Sequence, residues 1–134
     1  MRRLDHVGIA VEKIEKALPF YQTVLGLSAG PVEEVAGEKV RVAFMDLEGA
    51  RLELLEPAGA GGPISKFLDR RGPGLHHLAF AVQDVSGAAE KSRTAGFPCV
   101  APGLRTGSRG RRVCFLDPRA THGVLIELVE AGAG

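Results

Sequence analysis

His6-Val-Gly-Ile-Ala-Val11 returns 71 residues later as His77-Leu-Ala-Phe-Ala-Val82, and that return decides the fold. Val42-Ala-Phe-Met-Asp46 comes back at the same offset as Val113-Cys-Phe-Leu-Asp117. Leu52-Glu-Leu-Leu-Glu56 recurs as Ile126-Glu-Leu-Val-Glu130, shifted by 74, so the second copy has gained three residues (74 − 71) in its last turn. Tandem copies of one unit usually pack about a pseudo-twofold axis that brings equivalent positions together. Each copy opens on a histidine and closes on a glutamate, so four ligand-capable side chains, His6, Glu53, His77 and Glu127, are expected to meet at one point.

Working outward from the repeat, residues 4–11 alternate like a strand, and residues 14–25 carry apolar side chains at helical spacing, ended by Gly26. Pro19 lies inside that helix and is expected to kink it or mark its true start. Strand-like runs follow at 30–36, 39–47 and 51–56, the last two joined by a turn at Glu48-Gly-Ala50. The unit is therefore β-α-β-β-β. The second copy repeats it with a strand at 75–82, a helix at 85–95 stopped by Gly96, and strands near 98–101, 111–116 and 124–130. Between the copies, 57–62 reads as a Gly/Pro-rich linker followed by a short amphipathic helix over 64–70, and the Ala-Gly-Ala-Gly tail is expected to fray. The organisation is one α+β domain over 1–134: a module at 1–57, a linker with a short helix at 58–73, and a module at 74–130.

A strand's period of two says where the histidines point. His6 shares a face with Gly8 and Ala10, and His77 with Ala79 and Ala81, while Val7, Ile9 and Val11, or Leu78, Phe80 and Val82, are expected to go to a core under the helices. Small neighbours leave room beside each histidine for something other than side chain. Glu53 and Glu127 stand opposite to their apolar neighbours in nearly continuous apolar strands. A carboxylate there is costly unless it is paired or ligates a metal.

The bounds suit a small enzyme. At 134 residues the chain is long enough to bury roughly two thirds of its unfolded surface. A net charge of +1 gives no general electrostatic reason for nucleic acid or membrane partners. No apolar run approaches the roughly 20 residues of a membrane span, and nothing marks secretion. Cys99 and Cys114 form no Cys-x-x-Cys pair and read as reduced core residues of a cytoplasmic protein.

Two imidazoles and two carboxylates with open positions suit a divalent ion of borderline hardness, such as Co²⁺, Mn²⁺, Ni²⁺ or Zn²⁺. His76 points away from His77 and reads as a buried or interfacial residue. Arg105, Arg109, Arg111 and Arg112 lie in a Gly-rich segment that reads as a solvated hairpin loop, with a nucleotide-phosphate cradle as the alternative. Lys66, Arg70 and Arg71 offer a second candidate anion patch.

These residues resemble the vicinal oxygen chelate superfamily, to which glyoxalase I, bleomycin-resistance proteins, extradiol dioxygenases and methylmalonyl-CoA epimerases belong. The resemblance covers essentially the whole chain. Within the superfamily, Asp-His-Val-Gly-Ile-Ala-Val (5–11), Phe-Tyr-x-x-Val-Leu-Gly-Leu (20–27), Leu-Glu-Leu-Leu-Glu-Pro (52–57), Gly-Pro-Ile-Ser-Lys-Phe-Leu (62–68), Gly-Leu-His-His-Leu-Ala-Phe (74–80) and Gly-Val-Leu-Ile-Glu-Leu (123–128) are similar to the methylmalonyl-CoA epimerase family. The linker helix followed by Gly-Leu-His-His is the specific part.

The resemblance implies a curved mixed sheet cup built from two βαβββ modules, with metal ligands at His6, Glu53, His77 and Glu127. It implies metal-dependent epimerisation of (2R)- and (2S)-methylmalonyl-CoA by C2 proton transfer through a metal-chelated enolate, and a homodimer with an acyl-CoA substrate. Some of these epimerases carry Gln where Glu53 stands and a catalytic Glu at the position matching Val42. Valine cannot transfer a proton, so Glu53 and Glu127 become the candidate bases. Asp117-Pro118-Arg119 and His122-Gly123 are further departures. The alternatives are a lactoylglutathione lyase of the glyoxalase I type, which uses the same ligand set, and a metal-free binding protein of the bleomycin-resistance type.

Overall fold

The computed structural model describes residues 3–132, so Met1, Arg2, Ala133 and Gly134, including the end of the tail expected to fray, lie outside the described residues. The chain divides into two compact units, His6–His76, and Met1–Asp5 with His77–Gly134.

The unit His6–His76 takes strand β1 (Arg3–Ala10) from His6 onward, then helix α1 (Ile14–Pro19), strands β2 (Glu33–Val35), β3 (Val40–Leu47) and β4 (Ala50–Pro57), and helix α2 (Pro63–Arg71). Its strands lie in the order β2-β3-β4-β1, with β1 parallel to β4 and the other pairs antiparallel. Val40, Val42, Phe44 and Leu55 pack on one side against Ile64, Phe67 and Leu68 of α2. Ala43, Met45 and Leu54 pack on the other against Ile14, Ala17 and Leu18 of α1. A helix on each face explains why β3 is apolar almost throughout instead of alternating.

Helix α1 begins at Ile14, so Pro19 does not mark its start. Pro19 has no N–H to donate to the Glu15 carbonyl, and beyond it the chain widens into a π-helical turn at Phe20–Val24. Lys13 gives the helix no side-chain cap. Buried Glu56 of β4 takes that role, accepting the Ile14 N–H at 2.7 Å and Arg41 Nη1 at 2.8 Å. Pro63 opens α2 at its first turn. The residue before it must be glycine, because a Cβ on Gly62 would meet Lys39 Cβ at 2.9 Å and the Glu38 carbonyl oxygen at 3.1 Å.

The second unit takes strand β5 (Gly74–Val82) from His77 onward, then helix α3 (Val85–Thr94) and strands β6 (Arg105–Thr106), β7 (Arg112–Phe115) and β8 (Ile126–Glu130). Its order is β5-β8-β7-β6, with β5 parallel to β8 and the others antiparallel. Strand order and sense repeat those of the first unit, so the sequence repeat is a repeat of β-α-β-β-β, the α+β fold expected. Asp84 caps α3 by accepting the Gly87 N–H at 3.0 Å.

Three expectations are corrected. The strand expected over 30–36 is confined to Glu33–Val35, with Ala29 making a single bridge to Met45. The strand expected at 98–101 is reduced to one bridge, Cys99 with Leu116, because Pro98 and Pro102 have no N–H to give a ladder; Arg105–Thr106 pairs with β7 instead. The apolar side of β5 is not core: Phe80 is 36% exposed, whereas Ala79 on the histidine side is fully buried. Helix α3 lies chiefly against β7 and β8.

Arg111 is not a solvated loop residue. It forks onto Asp5, at 3.0 and 2.6 Å, and donates to the Glu130 carbonyl at 3.3 Å. The Asp5 side chain is 1% exposed and that of Arg111 14%. Removing one partner strands a charge in the interior, so Asp5→Ala is expected to cost about 3 kcal/mol. Urea denaturation reads this as a lower midpoint at unchanged slope. A loss under about 1 kcal/mol, the range of exposed pairs, would contradict it.

Candidate functional site

Each unit builds one histidine–glutamate pair by the same geometry. In the first, Glu53 stands beside Gly8 in the parallel pairing of β4 with β1, and His6 lies two residues before Gly8 on the same face. Gly8 has no side chain, so the carboxylate leans back along the strand until Oε2 is 3.3 Å from His6 Nδ1. In the second, Glu127 stands beside Ala79 in the pairing of β8 with β5, and its Oε1 reaches to 3.0 Å from His77 Nε2. A small residue two places after the histidine makes room for the pair in both copies.

All four side chains are buried: His6 and Glu53 are each 2% exposed, His77 7% and Glu127 6%. Carboxylates this deep need a partner that offsets lost hydration, and the imidazole is one. In each unit an imidazole nitrogen and a carboxylate oxygen lie together, both atoms of a kind that can ligate a metal ion. Two imidazole nitrogens with carboxylate oxygens are a donor set that suits a borderline divalent cation, so the residues present fit such an ion.

A phenylalanine walls each pair. Phe44 stands opposite Glu53 and Phe115 opposite Glu127, and the Phe115 ring meets His77 edge-on at 5.5 Å. An arginine covers each ring, Arg51 over Phe44 at 5.8 Å and Arg105 over Phe115 at 5.4 Å. The matched runs Val42-Ala-Phe and Val113-Cys-Phe carry these rings, so the repeat could have pointed to them as it pointed to the ligands.

Val42 is 1% exposed, and directly opposite it on β2 stands Glu33, half-buried. Sequence reasoning did not single out Glu33, because a short edge strand carries little periodic signal. His76 packs edge-on against Phe67 at 4.9 Å. Arg71 lies over that same ring from the end of α2, while Lys66 and Arg70 are exposed. Arg112 donates to Ser86 Oγ, and Arg105 to the Ala101 carbonyl. Arg119 forks onto Asp117 and holds that carboxyl below the usual range, chiefly by its side-chain hydrogen bond. Among the described residues, no helix is long and apolar enough to cross a membrane.

The repeated βαβββ units are those of a known class: the chain belongs to the glyoxalase/bleomycin resistance protein/dioxygenase superfamily, which it matches over residues 5–115. It is 42% identical over 130 residues to the uncharacterized protein YqjC of Bacillus subtilis, covering 97% of this chain and 93% of that one. It is 36% identical to the ethylmalonyl-CoA/methylmalonyl-CoA epimerase of Cereibacter sphaeroides, covering 94% and 96%. Among solved structures, a variant of Streptomyces coelicolor methylmalonyl-CoA epimerase in complex with 2-nitronate-propionyl-CoA superposes with a TM-score of 0.91 at 35% identity, covering 98% of each chain. The Cereibacter and Streptomyces proteins are named as epimerases, a class of isomerases.

Proposed function

We propose that this chain interconverts the (2R) and (2S) forms of methylmalonyl-CoA by moving a proton at C2, with one divalent ion held by His6, Glu53, His77 and Glu127. The observation that carries the reading is the buried histidine–glutamate pair built at the equivalent place in each module, 3.3 Å in one and 3.0 Å in the other. Support for the substrate comes from the epimerase relatives and from the acyl-CoA analogue bound to the Streptomyces enzyme.

Epimerisation removes the C2 proton and returns one to the opposite face. When bound, the ion supplies Lewis-acid stabilisation of the negative charge that develops on the substrate oxygens, several kcal/mol of barrier reduction. Glu53 and Glu127 come from different modules and are assigned one face each: one carboxylate takes the proton and the other returns it. The neighbouring imidazoles hold each carboxylate in place. Phe44 and Phe115 put an apolar wall beside each pair.

Assaying methylmalonyl-CoA beside the hemithioacetal of methylglyoxal and glutathione tests the reading. Turnover of the thioester alone is expected. Turnover of the hemithioacetal alone would replace the epimerase with a lactoylglutathione lyase.

The ion is taken to be Co²⁺, with Mn²⁺, Ni²⁺ or Zn²⁺ as substitutes, and the setting is taken to be the cytoplasm, where the free thiols of Cys99 and Cys114 would persist. The chain is taken as one domain that assembles as a homodimer with one metal per chain. Sedimentation equilibrium with metal counting is expected to give a dimer and one ion per chain; a monomer at micromolar concentration, or half an ion per chain, would contradict this.

A further inference from the structure

We propose that Cys99 and Cys114 are a redox modification site, closing into a reversible intrachain disulfide when the protein meets a hydroperoxide. The two Sγ atoms lie 3.2 Å apart. Backbone bonds hold Cys99 opposite Leu116, Val100 N–H donating to the Phe115 carbonyl and Asp117 N–H to the Pro98 carbonyl, each at 2.8 Å, and Cys114 lies two residues from Leu116 on the same face. A disulfide needs the two sulfurs to close by about 1 Å to the normal bond length.

Packing alone does not call for these thiols. The residue matching Cys114 in the first copy is Ala43, equally buried, and Ala29 bridges Met45 there as Cys99 bridges Leu116 here, so the first copy fills the same places without sulfur. The second copy has gained a thiol pair where the first has none.

The two cysteines differ in a way that fixes the order of events. Cys114 is fully buried, and burial first, then Cys99, pushes its thiol up to about 12. Its burial keeps it out of reach of an oxidant. Cys99 is half-buried and so is the one that meets the peroxide. The Cys99 thiolate attacks one peroxide oxygen, the O–O bond breaks, the released alkoxide leaves as alcohol, and the sulfur becomes a sulfenic acid. Cys114 sulfur then attacks Cys99 sulfur: the S–S bond forms, the S–O bond breaks, and the hydroxide leaves as water with the Cys114 proton. In sum, two thiols and one hydroperoxide give a disulfide, an alcohol and water, the sulfurs losing two electrons and the peroxide gaining them.

The site also lies next to the second histidine–glutamate pair. Phe115 follows Cys114 directly, and its ring is the one that meets His77. The modification itself does not depend on the epimerase reading.

Folded full-length protein treated with one equivalent of tert-butyl hydroperoxide, then alkylated under denaturing conditions, provides the test. Free thiols should fall from two to none, the chain should lose the mass of two hydrogens, and digestion should yield a Cys99–Cys114 cross-linked peptide that dithiothreitol reverses. In Cys114→Ala, an alanine taken from the first copy, the same treatment should stop at a sulfenic acid on Cys99 that dimedone traps. In Cys99→Ser, where the change is at the half-buried position, Cys114 should remain alkylatable on denaturation. Wild-type protein that keeps Cys114 alkylatable while Cys99 is oxidised further, or that forms only cross-links between chains, would overturn the proposal.

Discussion

His77→Ala is expected to strip the protein of most of its bound divalent metal and of its activity while leaving the fold. His77 is buried, and its Nε2 lies 3.0 Å from Glu127, so truncation removes one donor and also the group that positions another. Groups that merely support a ligand are worth about 10- to 100-fold in metal affinity, so losing the ligand itself should cost at least about 100-fold. Circular dichroism checks the fold and elemental analysis the metal. Full metal content in a folded His77→Ala protein would remove this residue from the site. His6→Ala should behave alike, because the first module builds its pair in the same way.

Glu127→Gln carries the second large effect. Glutamine fills the same volume and keeps one carbonyl acceptor beside His77, yet it cannot take a proton from carbon. Loss of a positioned acid–base group costs roughly 10²- to 10⁴-fold, and the expected result is C2 exchange reduced by at least that lower figure. Metal content must be read in the same sample, since a weakened ligand and a lost base both slow the reaction. Retained metal with lost exchange assigns Glu127 to proton transfer. If exchange persists undiminished in both Glu53→Gln and Glu127→Gln, the base lies elsewhere, and Glu33, opposite Val42 on the same face as Glu53, is the next carboxylate to replace.

Much of the fold was legible because the chain states it twice. The returning runs at His6 and His77, and at Val42 and Val113, reproduce strands of the same order and sense in both units. Both pairs were legible too, since the period of two places each histidine beside small residues and each glutamate against apolar ones. What escaped was whatever depends on distant partners. Arg111 read as a loop residue because Asp5 lies 106 positions away, and Glu56 gave no sign that it would cap a helix 42 positions earlier. The exposure of Phe80 is likewise not encoded in the pattern of β5. The misplaced β6 has a local cause: a two-residue ladder leaves no periodic trace, while the apolar run before it, flanked by prolines, imitates a strand.

Transfer of the C2 proton is the centre of the account, and exchange with solvent measures it most directly. Methylmalonyl-CoA incubated in deuterated water with the Co²⁺-loaded protein should gain one deuterium at C2, seen as loss of the C2 proton signal and a mass increase of one unit, as the two epimers equilibrate. Metal-loaded protein that leaves the C2 proton in place would contradict the account.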